Sequence, residues 1–214
     1  MRGVRPELAD KYASLIRFLA SDPSFASNMR GRTPPTIGSE AYITGQAQGF
    51  AVGREPKSPE RPSTVPDEIV SLILHEYFEV PKTSLEQAKT EHQLSMAAEN
   101  IVGDLLERFL ASVLEEHGWI WCSGSMVKAV DFIKPPARTG GAWRLLQVKN
   151  RDNSENSSSS AIRDGTDIEK WFRTFSRRAA TNWGAFPDPS MHPFLDEAKF
   201  KAFVKAYLTA LKAL

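Results

Sequence analysis

Apolar positions along the chain change their period several times, and each change marks an element. Leu8, Tyr12, Leu15, Ile16 and Leu19 recur at helical spacing, so residues 7–20 predict an amphipathic helix. Asp22-Pro23 ends it. Residues 30–66 lose the periodicity and are rich in Gly and Pro. Short strands are expected there at Ala41-Tyr42-Ile43 and Gly49-Phe50-Ala51-Val52, with loop elsewhere. So long an irregular stretch is either functional or partly mobile.

Pro66-Asp67-Glu68 predicts a second helix through about Tyr77, its acids complementing the helix dipole. A third is expected from about Ser84 to His117, with a break near residue 95 and Gly118 as its stop. Alternation then predicts strands at Trp119-Ile120-Trp121-Cys122, at Val127–Ile133 and at Trp143–Lys149. Thr166 reads as the cap of a helix around Ile168–Phe172. A last helix, about Leu195–Leu211, carries Phe200, Phe203, Val204, Tyr207, Leu208 and Leu211 on one stripe, most simply core. Helices, a strand cluster, then helices predict an α/β (α+β) fold with a central mixed sheet. No linker is visible, so residues 1–214 read as a single domain.

Composition narrows this picture. The 214 residues can bury a substantial core. No apolar run approaches the ~20 residues that span a bilayer, and the N-terminus lacks a signal-peptide core. The single cysteine, Cys122, excludes an internal disulfide and a cysteine zinc site and suits a reducing cytoplasm. Net charge is +1, which argues against a histone-like DNA-coating protein. It leaves a sequence-specific binder open, because base contacts do much of the discrimination there.

Candidate chemistry sits on the strand cluster. Asp131 lies near the end of one apolar run, and Gln147-Val148-Lys149 near the end of the next, 16 positions on. A strand points Gln147 and Lys149 to the same side. If the runs pair as a hairpin, Asp131 faces them. Oxygen ligands from Asp131 and Gln147 suit a hard cation, and Lys149 suits a phosphodiester or its attacking water. An amphipathic hairpin with a polar edge fits this permissive spacing too. Glu99 and Glu107 share one side of the preceding helix, with Gly103 midway. Either could add negative charge to a metal site; solvated glutamates are the plainer reading. Close packing on the sheet is the reason expected for Gly103.

The segment from Asn150 to Arg163 is dense in Asn, Asp, Arg, Glu and Ser, which make up most of the vocabulary of base readout. Asn150, Arg151, Asp152, Asn153, Asn156 and Arg163 are the DNA-contact candidates; a flexible polar linker would have the same composition. Lys170, Arg173, Arg177 and Arg178 fit phosphate contacts and a solvated face equally. The four histidines show no ligand spacing, the tryptophans read mainly as core, and Cys122 as buried filler.

Asp131 followed by Gln147-x-Lys149 resembles the PD-(D/E)XK nuclease superfamily, in the variant with Gln at the second acid. The proline before the acid is replaced by Val130. The stretch Ala98–Phe109 resembles the glutamate-bearing helix of type II restriction endonucleases, with Glu107 best matching the family position. With the segment after Lys149, the chain is similar to the SinI-type enzymes, most clearly over 95–175, the expected catalytic core. The resemblance implies an Mg2+-dependent site-specific deoxyribonuclease cutting double-stranded DNA, with sites of the form GG(A/T)CC. It implies Asp131, Gln147, Lys149 and Glu107 as catalytic, and Asp131, Gln147, Glu107 and Glu99 as metal-holding. It also implies a homodimer and a DNA methyltransferase in the same cell. Gln147 keeps open an inactive DNA-binding protein with a nuclease fold. A repair or structure-specific nuclease fits the same residues, and so does a protein whose polar loops merely dock a partner.

Overall fold

A computed structural model describes residues 5–29, 31–64, 67–138, 140–152 and 165–213. The chain divides into two compact units. One is formed by Met1–Pro56 with Leu106–Leu214, the other by Lys57–Leu105.

The first unit is built on a four-stranded sheet in the order β1 (Ile120–Trp121), β2 (Phe132–Lys134), β3 (Arg144–Arg151) and β4 (Ile168–Thr174). The first two pairings are antiparallel and β3–β4 is parallel, so the expected mixed sheet is present. Register decides the faces. Ile120, Ile133, Leu145 and Ile168 pair in one row and join a core with helices α1 (Ala9–Ser21) and α2 (Glu40–Val52). Trp121, Phe132, Leu146, Val148 and Trp171 occupy the opposite face and are all buried. There Trp171 meets Trp183 and Phe186, and Phe109 meets Trp183 and Phe200. Phe109 comes from the end of α4 (Leu85–Leu114) and Phe200 from α5 (Glu197–Leu211), which Asp196 caps. Helices on both faces of the sheet satisfy its two apolar sides.

Three expectations are corrected. The two short strands expected inside the irregular stretch 30–66 are one helix, α2. Ser39 caps it by accepting from the Tyr42 N–H, and Glu40 stands in the first turn. Its glycines disguise it, and Gly53 at its C-terminal cap sits where Gly124 approaches closely. A Cβ on Gly124 would lie 2.4 Å from the Gly49 oxygen, and one on Gly53 only 2.7 Å from the Gly124 nitrogen. Second, the segment Ile168–Thr174 is strand β4 and not a Thr166-capped helix. Seven residues rich in β-branched and aromatic side chains gain more from the β3 ladder than a short helix offers. Third, α4 runs unbroken through residue 95. It ends through a 3-10 turn at Gly118, whose φ of 84° is the left-handed stop expected there.

The second unit holds α3 (Glu68–Glu76), capped by Asp67, and the first part of α4. No α3 residue is buried. Among the described residues, no helix is long and apolar enough to cross a membrane.

Candidate active site

The strand expected over Val127–Ile133 begins late, and the delay shapes the site. Val127 bridges Ala26, and Lys128 N–H donates to the Phe25 carbonyl at 2.8 Å. Ala129 then turns with φ 56°, a left-handed conformation unusual for a residue with a Cβ. Only after that turn does the chain enter the sheet. Asp131 N–H donates to the Leu146 carbonyl at 2.9 Å, and the Asp131 carbonyl accepts from Cys122 N–H at 2.8 Å. Asp131 is thus locked between β1 and β3, one step before the paired Phe132 and Leu146.

That register sets Asp131 opposite Gln147, on the face shared by Leu145, Gln147 and Lys149. The parallel pairing of Gln147 with Lys170 and of Lys149 with Phe172 adds Lys170 to the same face. The Asp131 carboxylate accepts the Val148 N–H at 2.7 Å, between Gln147 and Lys149 in sequence. The expected convergence of acid, amide and ammonium is therefore a property of the register. Lys170 enters through the corrected strand β4. Ile168, Trp171, Phe172 and Thr174 within seven residues, shortly after Gly165, were the sequence signal that could have revealed it.

Electrostatics mark the same spot. Burial pushes the half-buried Asp131 carboxyl up to about 6, against the opposing pull of the Val148 N–H and the Lys149 ammonium. Burial and then the Lys149 charge lower Lys170, with Asp152 opposing. Cys122 is held well above the ordinary thiol value, first by burial, then by the charges of Asp131, Glu107 and Glu115 against Arg54. Cys122 is buried, as the filler reading expected.

Glu107 accepts the indole N–H of Trp121 at 2.9 Å. Its neighbour Arg108 holds the end of α2, donating to the carbonyls of Gly53, Arg54 and Glu55. Glu99 is exposed and belongs to the second unit, whereas Glu107 belongs to the first. The packing reason expected for Gly103 is not found: a Cβ there would meet nothing within 4 Å, and nothing in the structure explains this glycine.

Beyond Lys149 the strand ends are tied together. Asn150 Oδ1 accepts from Nε and Nη2 of Arg173 at 3.0 and 2.9 Å, and its carbonyl from the Thr174 hydroxyl at 2.8 Å. Asp152 Oδ1 accepts from Ser176 N–H at 2.8 Å. Arg151 is exposed. Asn153, Asn156 and Arg163 lie outside the described residues.

One carboxylate and one amide oxygen on a shared face make a donor set for a hard cation that keeps much of its own water. Among the described residues, no three His, Cys, Asp or Glu side chains form a metal cage by themselves.

A mixed sheet with an acid facing Gln-x-Lys on the neighbouring strand, covered by helices on both sides, has the architecture of a restriction-endonuclease-like fold. A model of the SinI restriction endonuclease family matches residues 1–210. The chain is 54% identical over 213 residues to the type II restriction enzyme SinI of Salmonella infantis, covering 99% of this chain and 92% of that protein. It is 53% identical over 212 residues to the type II restriction enzyme Eco47I of Escherichia coli, with the same coverage. The chain belongs to the SinI restriction endonuclease family.

Proposed function

We propose that this restriction endonuclease hydrolyses phosphodiester bonds of double-stranded DNA with Mg2+, at sites of the form GG(A/T)CC. The observation that carries the proposal is the register that sets Asp131 opposite Gln147, with Lys149 next on the same face. The site form rests on family membership alone.

Asp131 and Gln147 would hold the cation through their oxygens, and Glu107, which accepts the indole N–H of Trp121 on β1, would be the acid supplied by α4. Mg2+ bound there supplies charge stabilisation at the phosphate and an acidified water. The chain's own residues do the rest. The Val148 N–H fixes the Asp131 carboxylate in place. Lys149 holds the attacking water against the phosphate and balances the negative charge that grows as the water oxygen bonds phosphorus and the sugar oxygen leaves. Lys170, on the same face, adds positive charge at the scissile phosphate. Arg151, Asn153, Asn156 and Arg163, which follow Lys149 in sequence, would contact the bases. A near-palindromic site is matched by a two-fold protein, so the working enzyme is a homodimer. A methyltransferase in the same cytoplasm protects host DNA.

A second reading, a DNA-binding protein without chemistry, draws on one observation: among the described residues Asp131 lacks the further acids of a full metal cage. Incubation of unmethylated plasmid and phage DNA with and without Mg2+ separates the two. Discrete metal-dependent fragments, with sizes matching GG(A/T)CC, are expected. Intact DNA that is nevertheless bound would establish the second reading.

A further inference from the structure

The turn that follows β4 lies outside the proposed metal site, and several hydrogen bonds brace it. Its base is closed by the bridge between Thr174 and Thr181 and by Phe175 N–H donating to the Ala180 carbonyl. Asp152, at the end of β3, accepts the Ser176 N–H from inside the turn, and Asp152 N–H donates back to the Thr174 carbonyl at 3.2 Å. Asn150 takes two hydrogen bonds from Arg173, whose Nη1 reaches both Glu197 oxygens at 2.8 and 2.9 Å. Arg173 is therefore a bracket. Its partner Glu197 also accepts from the Trp183 indole and lines the adjoining hollow.

That hollow is open, about 790 Å³, and among the described residues it is lined by Arg151, Arg173, Arg177 and Arg178 with the carboxylate of Glu197. Arg177 and Arg178 are exposed, and neither has an acidic partner among the described residues. They differ in one respect. The Arg178 guanidinium lies 3.5 Å from the centre of the Phe175 ring, while no ring holds Arg177. A stacked guanidinium keeps its plane and presents its fork of N–H groups outward, so little freedom is lost when it pairs with two acceptors. The hollow opens at the end of the sheet where Lys149 stands: Arg151 pairs with Thr174 one side-chain step beyond Lys149, and the turn starts at the next residue.

We infer that the Phe175–Ala180 turn is a base-reading element, in which Arg178, held on Phe175, pairs bidentately with the O6 and N7 edge of a guanine in the major groove. Arg177 contacts a phosphate beside it. Asn150 and Asp152 are positioning residues here: they fix the turn and need not touch a base. The inference rests on the chain's being a DNA-cutting enzyme. It adds a second segment to the reading apparatus, supplied by β4.

The test uses the full-length protein and a duplex of about 30 base pairs carrying GGACC, with binding measured in Ca2+ and cutting in Mg2+. One guanine at a time is replaced by 7-deazaguanine, which lacks the N7 acceptor and keeps the pairing. Wild-type affinity is expected to fall roughly 10-fold at one guanine per half-site, out of the 10- to 100-fold that a bidentate pair supplies. Arg178→Ala should lose that 10- to 100-fold on the unmodified duplex and become indifferent to the same replacement. Arg178→Lys should behave like Arg178→Ala, since an ammonium lacks the fork. Arg177→Ala should weaken cognate and non-cognate binding alike and lower the salt slope by about one. An Arg178→Ala protein as sensitive as wild type to every 7-deazaguanine would overturn the inference, and so would full recovery by Arg178→Lys. Wild-type cutting in the same experiment reports separately on the proposed function. A wild type that cuts while Arg178→Ala discriminates normally defeats only the inference.

Discussion

The two halves of the parallel pair β3–β4 share a ladder but little else. In the first half, Leu145 and Ile168 are buried on one face and Leu146 on the other, and the strands serve as core. In the second half, Gln147, Lys149 and Arg151 line one face, joined by Lys170, with Asp131 presented from β2. Gln147 stands at the border, polar yet only 1% exposed. The difference teaches where this fold gathers its polar groups: an apolar half sets the register, and the register brings acid, amide and ammonium to one face. Burial and then the Lys149 charge lower Lys170, and burial raises Asp131 against the pull of the Val148 N–H and Lys149. Strain lies nearby as well, at Ala129 two residues before the acid.

The sharpest way to break the comparison is to exchange roles between the halves. In the polar half, Lys149→Ala and Asp131→Ala should each reduce cleavage by roughly 1000-fold or more while specific binding in Ca2+ persists, as read by single-turnover assay and gel shift. Either variant cutting at the wild-type rate would mean that the register carries no chemistry. In the apolar half, Leu146→Ala removes a fully buried side chain and should cost about 3 kcal/mol, seen in urea unfolding. Its cleavage rate at low temperature should stay near wild type once folded protein is counted.

Asp131→Asn sharpens the contrast through pH. In the metal-free protein the Asp131 carboxyl lies at about 6, above its ordinary 3.8. The folded state then holds the proton more tightly than the unfolded one. That contribution is complete below about 3.8 and is lost as pH rises through about 6. The asparagine keeps an acceptor for Val148 N–H and carries no charge. The variant should therefore gain on wild type between pH 4 and 6 and stay ahead at pH 7, by on the order of 5 °C in Tm. A variant less stable than wild type at pH 7 would show that the buried charge is compensated. The smallest effect belongs to Ala129→Gly, which relieves the left-handed residue and should add about 1 kcal/mol by thermal unfolding.

Legibility in the sequence followed the range of the interactions. Asp131, Gln147 and Lys149 could be brought together in advance because strand alternation and one antiparallel pairing suffice. The flanking helices were legible from their periods and caps. What escaped depended on distant partners. Helix α2 read as two short strands because its glycines hide the helical period, and Gly53 at its end meets Gly124, some seventy positions away. Strand β4 looked helical because only the β3 ladder makes it a strand. The bracket from Arg173 to Asn150 and Glu197 joins two strands and a helix, and no local pattern announces it. Asn150 and Asp152 were legible as polar residues in the right place, but their protein partners were not.

The proposed chemistry stands on a cation held between Asp131 and Gln147. Affinity cleavage tests this directly: Fe2+ replaces Mg2+ in the DNA-bound enzyme, and ascorbate with peroxide generates radicals that break the chain beside the ion. Breaks clustered at Asp131 and at Gln147–Lys149, suppressed by excess Mg2+ and absent from Asp131→Ala, are the expected result. Breaks confined to other parts of the chain, or unchanged in Asp131→Ala, would contradict it.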